Sequence, residues 1–62
     1  MPIINVTLIE GRPLDKKIKM IKAVTDAVVE TLDAPRDSVR IIINEVPKWH
    51  FASGGEVKGM PS

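Results

Sequence analysis

Hydrophobic and β-branched residues over positions 3–9 predict a first β-strand. Successive side chains of a strand point to opposite faces, so one face of this strand consists of Ile4, Val6 and Leu8. The opposite face has mixed polarity and consists of Ile3, Asn5, Thr7 and Ile9. Because neither face is wholly polar, we expect both faces to be covered in the folded protein.

The spacing of apolar residues changes to three and four residues between positions 14 and 32, which predicts an amphipathic α-helix. The apolar stripe of this helix consists of Leu14, Ile18, Ile21, Val24, Val28 and Leu32. Gly11 and Pro13 precede it and are typical of a turn that leads into a helix. Pro35 is expected to end the helix, because proline disfavours helical geometry in the residue before it.

A second strand is predicted over residues 39–46, and Gly54-Gly55 predicts a hairpin turn after it. One face of the second strand consists of Val39, Ile41 and Ile43, and the other of Arg40, Ile42 and Asn44. A strand, a helix of about 20 residues and a strand predict a β-α-β unit with parallel strands and a right-handed crossover. The predicted fold class is therefore α/β (α+β), with a single domain over residues 1–62 made of one β-α-β unit and a short C-terminal hairpin.

The length of the chain limits its core, since a chain of about 60 residues buries only roughly 60% of its unfolded surface. Disulfides cannot add stability because the sequence has no cysteine, and its single histidine disfavours a structural metal site. Oligomerisation is the remaining means of stabilisation. The sheet face away from the helix carries Ile3, Ile9 and Ile42, and we expect a partner subunit to cover it.

Charge and hydropathy exclude other classes of protein. The formal net charge of +1 predicts no strong affinity for nucleic acid. No apolar run reaches the roughly 18 residues that a membrane span requires. Met1-Pro2 leads into a strand pattern and not into a signal peptide, so we expect a soluble cytoplasmic protein.

Pro2 is the first candidate for chemistry. Removal of an initiator Met1 by an aminopeptidase would leave Pro2 with a free secondary amine. The pKa of an α-amino group lies near ~8, and desolvation or a nearby cation lowers it toward neutrality. A neutral amine can act as a general base or as a Schiff-base nucleophile. The alternative is that Pro2 merely starts an edge strand, where its missing N–H is harmless.

Arg12 and Arg40 occupy positions suited to binding an anion. Arg12 precedes the predicted helix, whose free N–H groups could bind a carboxylate or phosphate together with it. Arg40 alternates with apolar residues inside the second strand. The alternatives are a solvated loop arginine at position 12 and a salt bridge at the rim of the sheet at position 40.

His50 has no sequence neighbour that would complete a triad or a metal site, so we assign it a structural or surface role.

Five segments of the chain together resemble the 4-oxalocrotonate tautomerase family, whose short subunits consist of one β-α-β unit and a hairpin. The matching segments are Met1-Pro2-Ile3, Leu8-Ile9-Glu10-Gly11-Arg12, Leu32-Asp33-Ala34-Pro35, Ser38-Val39-Arg40-Ile41-Ile42-Ile43-Asn44-Glu45 and His50-Phe51-Ala52-Ser53-Gly54-Gly55-Glu56. The resemblance as a whole extends over essentially the entire length of the chain. Pro2 alone is weak evidence, but Pro2, Gly11-Arg12, Arg40 and the Phe51-x-x-Gly-Gly-Glu motif at these separations are specific together.

The resemblance implies a role for each matching residue. Pro2 would be the catalytic base, and Arg12 and Arg40, contributed by different subunits, would bind the substrate. The apolar wall and a backbone contact of the site would come from Phe51 and from Leu8 or Ile9. The resemblance also implies no cofactor and no metal. It implies a hexamer built as a trimer of dimers, either from identical chains or with a paralogue.

The activity implied by the resemblance is that of a cofactor-independent tautomerase. Such an isomerase moves a proton between carbons of a small 2-hydroxydienoate or 2-oxo acid, as in aromatic hydrocarbon catabolism. The alternatives are a dehalogenase or hydratase of small unsaturated acids on the same fold, and a non-catalytic subunit or binding module. The chain departs from the family pattern at Pro47 and Trp49, and Ser53 replaces an apolar residue, which makes the rim of the pocket more polar.

Overall fold

The computed structural model describes residues 1–58 and contains one helix, four strands and two short 3-10 turns in that range. The elements are β1 (Ile3–Ile9), α1 (Leu14–Leu32), a 3-10 turn (Arg36–Ser38), β2 (Arg40–Val46), a second 3-10 turn (Lys48–His50), β3 (Ala52–Ser53) and β4 (Glu56–Val57). The predicted bounds of β1 and α1 are confirmed. β2 begins one residue later than predicted, because the N–H of Val39 donates to the carbonyl of Arg36 and closes the first 3-10 turn.

The strands pair as the β-α-β prediction requires. β1 and β2 are parallel, in a register that places Ile3 opposite Arg40 and Ile9 opposite Val46. β3 and β4 form a separate antiparallel hairpin. Its turn residues, Gly54 and Gly55, have φ values of 58° and 84°, which glycine adopts without steric cost. The parallel unit and the C-terminal hairpin are therefore both confirmed.

The burial pattern places α1 on the face of the sheet that carries Ile4, Val6 and Leu8, which are half-buried. The half-buried residues of the helix are Lys17, Met20, Ile21, Val24, Thr25, Val28 and Val29. The predicted apolar stripe is correct at its centre but wrong at Leu14, Ile18 and Leu32, which are exposed. A helix of 19 residues is about 28 Å long and a strand of seven about 23 Å, so the helix ends extend past the sheet. No helix in the described part of the chain is both long and apolar enough to cross a membrane.

A single protomer has a large surface for its mass. None of residues 1–58 is fully buried, and the accessible surface is 4918 Å², against about 4,000 Å² expected for a folded monomer of this mass. The radius of gyration is 14.8 Å, against about 11 Å for a compact domain of this length. On the sheet face away from α1, Ile3 is 58% and Ile42 is 48% exposed, whereas Ile9 is half-buried. The protomer therefore leaves apolar surface uncovered where the sequence predicts a partner.

The residue that follows α1, Asp33, has left-handed backbone angles of φ 56° and ψ 37°. Glycine adopts these angles more readily than aspartate, and a carboxylate opposes the negative end of the helix dipole. We therefore expect Asp33→Gly to raise the free energy of unfolding by about 0.5–1 kcal/mol, measured by urea unfolding at a fixed protein concentration. Asp33→Ala should lower it. Equal stability of the two variants would show that the backbone angles at this position have no energetic consequence.

Candidate active site

Pro2 and Arg40 lie side by side at one end of the parallel sheet. The N–H of Arg40 donates to the carbonyl of Pro2 at 3.0 Å, one step before the register pair of Ile3 and Arg40. Pro2 is half-buried, whereas Met1 before it is 79% exposed. The strand pairing thus fixes the backbone of Pro2 and leaves the bond between Met1 and Pro2 accessible.

The 3-10 turn before β2 holds the side chain of Arg40. The Nη1 group of Arg40 donates to the carbonyl of Asp37, inside that turn. The hydroxyl of Ser38 donates to the carbonyl of Pro35 at 2.7 Å, and Arg36 forms an ion pair of 2.6 Å with Asp26 on α1. The spacing of apolar residues predicts only a short connection over residues 36–38, and not this turn. The serine three residues after Pro35 is the local signal for such a turn.

Arg12 lies at the opposite end of the sheet from Pro2. It follows β1 in a loop whose first residue, Glu10, donates its N–H to the carbonyl of Val46 at 2.9 Å. Gly11 has φ 125°, a backbone conformation that L side chains rarely adopt. Since β1 has seven residues at about 3.3 Å each, the two ends of the strand are roughly 23 Å apart. One protomer therefore does not bring Arg12 to its own Pro2.

The other predicted site residues lie toward the Arg12 end of the sheet. Leu8 and Ile9 are half-buried residues near the end of β1. The segment that contains Phe51 follows the end of β2. The side chain of Phe51 is exposed, and its backbone carbonyl accepts a hydrogen bond from the N–H of Lys58 at 2.8 Å. Ser53 pairs with Glu56 in the hairpin. The exposed ring of Trp49 meets His50 edge to face, with ring centroids 4.4 Å apart.

The described part of one protomer offers surface but no enclosed site. Residues 1–58 form no pocket, and they contain no group of three or more His, Cys, Asp or Glu residues that could hold a metal ion. The separated positions of Pro2 and Arg12 agree with this open surface. Enclosing a small ligand would therefore require surface beyond that which residues 1–58 of one protomer provide.

Comparison with known proteins identifies relatives that match this chain along nearly its whole length. The profile of the family described as "Tautomerase enzyme" matches residues 2–60. The 2-hydroxymuconate tautomerase of Stutzerimonas stutzeri is 48% identical over 56 residues, which cover 90% of this chain and 89% of that protein.

Two solved structures share the fold. A structure from a study of the 4-oxalocrotonate tautomerase isozymes of Methylibium petroleiphilum has a TM-score of 0.88 and 46% identity, covering 92% of this chain and 89% of that one. A heterohexamer 4-oxalocrotonate tautomerase from Chloroflexus aurantiacus J-10-fl has a TM-score of 0.88 and 34% identity, covering 94% of both chains. The fold, the matched length and the sequence identity together show that this chain belongs to the tautomerase family and is an enzyme of the 4-oxalocrotonate tautomerase type.

Proposed function

We propose that the enzyme is a cofactor-independent tautomerase of 2-hydroxymuconate or a closely related 2-hydroxydienoate or 2-oxo acid. The general base in this proposal is the amine of Pro2, freed by removal of Met1. The observation that carries the proposal is the position of Pro2, which is fixed by the Arg40 N–H at an exposed end of the sheet. The 2-hydroxymuconate tautomerases among the relatives support the proposed substrate class.

The chemistry requires only a base and positive charge. The neutral amine of Pro2 takes a proton from one position of the substrate and returns it at another, so no atom is gained or lost overall. Negative charge develops on the substrate oxygen during this transfer, and a guanidinium group can stabilise it. Arginine also binds a carboxylate through two parallel charge-assisted hydrogen bonds. Arg12 and Arg40 take these two roles in the proposed site.

The same surroundings favour the unprotonated base. Guanidinium groups near the amine disfavour its positive charge, and an apolar wall at Phe51 disfavours any charge. Both effects act in the same direction, so we expect the pKa of the Pro2 amine to lie below the ordinary α-amino value of about 8. The amine would then be largely neutral at pH 7.

The proposed site is shared between protomers in a hexamer built as a trimer of dimers. Pro2 and Arg40 occupy one end of the sheet and Arg12, Leu8 and Ile9 the other. A second protomer running in the opposite direction would bring its Arg12 end to the first protomer's Pro2. The uncovered apolar face with Ile3 and Ile42 supplies the contact surface.

Light scattering should therefore find a hexamer of the 6.8 kDa chain at micromolar concentration, because the exposed sheet face is too apolar to remain in water. A stable, folded monomer would contradict the proposal. A chain that assembles only after a paralogue is added would identify a mixed hexamer instead.

A panel of acids followed by ultraviolet absorbance tests the substrate class. The protein is first shown by mass spectrometry to lack Met1. We expect turnover of 2-hydroxymuconate and other 2-hydroxydienoates to exceed that of 3-haloacrylates by at least about 10²-fold in kcat/KM, the scale set by a positioned general base. Dominant halide release from haloacrylates would favour the dehalogenase alternative.

A role in aromatic hydrocarbon catabolism and a cytoplasmic location remain predictions.

A further inference from the structure

An ion pair lies between α1 and the sheet, in an interface that is otherwise mainly apolar. The Nζ of Lys17 is 2.8 Å from Oε1 of Glu45, and the two side chains are 18% and 37% exposed. Glu45 is on the face of β2 that also carries Ile41 and Ile43, which is the face that α1 covers. The pair joins the beginning of the helix to the end of β2.

Among residues 1–58, no other hydrogen bond or ion pair joins the beginning of α1 to the sheet. In the stretch from residue 14 to residue 19, every residue except Lys17 is exposed, including the apolar Leu14 and Ile18. The backbone N–H of Lys17 also donates to the carbonyl of Pro13 at 3.3 Å. This hydrogen bond links the backbone of Lys17 to that of Pro13, the residue directly after Arg12.

The loop that carries Arg12 lies between two fixed points. Before it, the N–H of Glu10 donates to the carbonyl of Val46, and after it, Pro13 is tied to Lys17. Only two residues, Gly11 and Arg12, lie between these points. Gly11 adapts its backbone readily, whereas Pro13 is held at φ −69° by its ring. The direction of Arg12 thus depends on where the first turn of α1 sits relative to β2.

We propose that the Lys17–Glu45 ion pair is a positioning element for Arg12. It holds the first turn of α1 against the end of β2 so that the Arg12 guanidinium reaches the site that it shares with a neighbouring protomer. The inference rests on the proposed function, in which Arg12 binds the substrate. Lys17 and Glu45 themselves do not contact the substrate, and their effect on catalysis passes through Arg12.

The test compares Lys17→Met in two backgrounds with 2-hydroxymuconate as substrate. In the otherwise unchanged enzyme, Lys17→Met should lower kcat/KM by about 3- to 10-fold, the scale of coupling between neighbouring residues. In an Arg12→Ala background, Lys17→Met should lower kcat/KM by less than about 2-fold, because the residue through which it acts is gone. A general loss of stability would lower both to the same extent. Lys17→Arg, which keeps the charge, should restore most of the activity.

Lys16→Met is the matched control, since it removes the same charge from an exposed position in the same turn. Its kcat/KM should equal that of the parent enzyme. If Lys17→Met fails to assemble, Glu45→Gln, which preserves side-chain shape, takes its place in the same comparison.

An equal loss in both backgrounds would overturn the inference, and two further results that would overturn it are distinguishable from each other. If Arg12→Ala lowers kcat/KM but Lys17→Met behaves like Lys16→Met, the positioning role is wrong and the proposed function stands. If Arg12→Ala leaves kcat/KM unchanged, the role of Arg12 in the proposed function fails and the inference fails with it.

Discussion

Enzyme that retains Met1 is expected to have no tautomerase activity. In that chain the nitrogen of Pro2 is part of an amide, which has no basicity and cannot accept the substrate's proton. The fold and the assembly should be unaffected, because Met1 is exposed and the Pro2 carbonyl still accepts the Arg40 N–H. Mass spectrometry of each preparation, paired with an ultraviolet assay, measures the effect directly. Full activity in protein verified to retain Met1 would overturn the proposed mechanism.

Pro2→Ala tests the same base in a chain whose N-terminus is free. The variant has a primary amine that is more mobile and differently basic, so we expect kcat/KM to fall by about 10²-fold or more, as for a displaced general base. His50→Gln is the matched control, because His50 is the histidine that could otherwise serve as base and it meets Trp49 instead. Its activity should equal that of the parent enzyme. A comparable loss in His50→Gln would move the base away from Pro2.

The pH dependence of kcat/KM gives a second measurement on the same group. The base must be unprotonated, so activity should rise with pH through one ionisation that lies below the ordinary α-amino pKa of about 8. An electrophile such as a 3-halopropiolate or bromopyruvate should label the N-terminal amine once per chain and abolish activity. An ionisation at or above 8, or labelling on a lysine, would contradict the assignment.

The helix and the strands could be predicted from the spacing of apolar residues, because this spacing is contained within each element. The period of two in β1 and the three- and four-residue steps in α1 gave the observed bounds of both. The exposure of Leu14 and Leu32 could not be predicted, since it depends on the length of the helix relative to the sheet. The later start of β2 could not be predicted either, because it depends on the hydrogen bond from the N–H of Val39 to the carbonyl of Arg36.

The candidate site was predictable as residue types but not as an arrangement. The local sequence does not predict that Arg40 lies next to Pro2 in the sheet, because the register of parallel strands is set by contacts between distant segments. The contact between Arg40 and the Asp37 carbonyl likewise depends on the 3-10 turn. The distance between Pro2 and Arg12 follows directly from the length of β1, and it is the reason why the proposed site is shared between protomers.

Arg12→Ala and Arg40→Ala should each weaken transition-state stabilisation by about 2–5 kcal/mol, the scale for truncating one partner of a buried charge pair. Both arginines are exposed in the protomer, so the fold and the assembly should survive either change. Replacement by lysine should recover only part of the loss, because lysine cannot form the bidentate pair. Lys22→Ala, on the exposed face of α1, is the control and should leave kcat/KM unchanged.

Mixing the two inactive variants tests whether the arginines come from different protomers. If Arg12 and Arg40 of one site belong to different chains, random mixed assemblies of Arg12→Ala and Arg40→Ala chains contain some sites in which both arginines are intact. Each position is intact in half of the sites, so about one quarter of the parent activity should return after the chains are unfolded together and reassembled. If both arginines came from one chain, mixing would restore nothing. Absence of recovery in verified mixed assemblies would therefore contradict the shared site while leaving the roles of Arg12 and Arg40 intact.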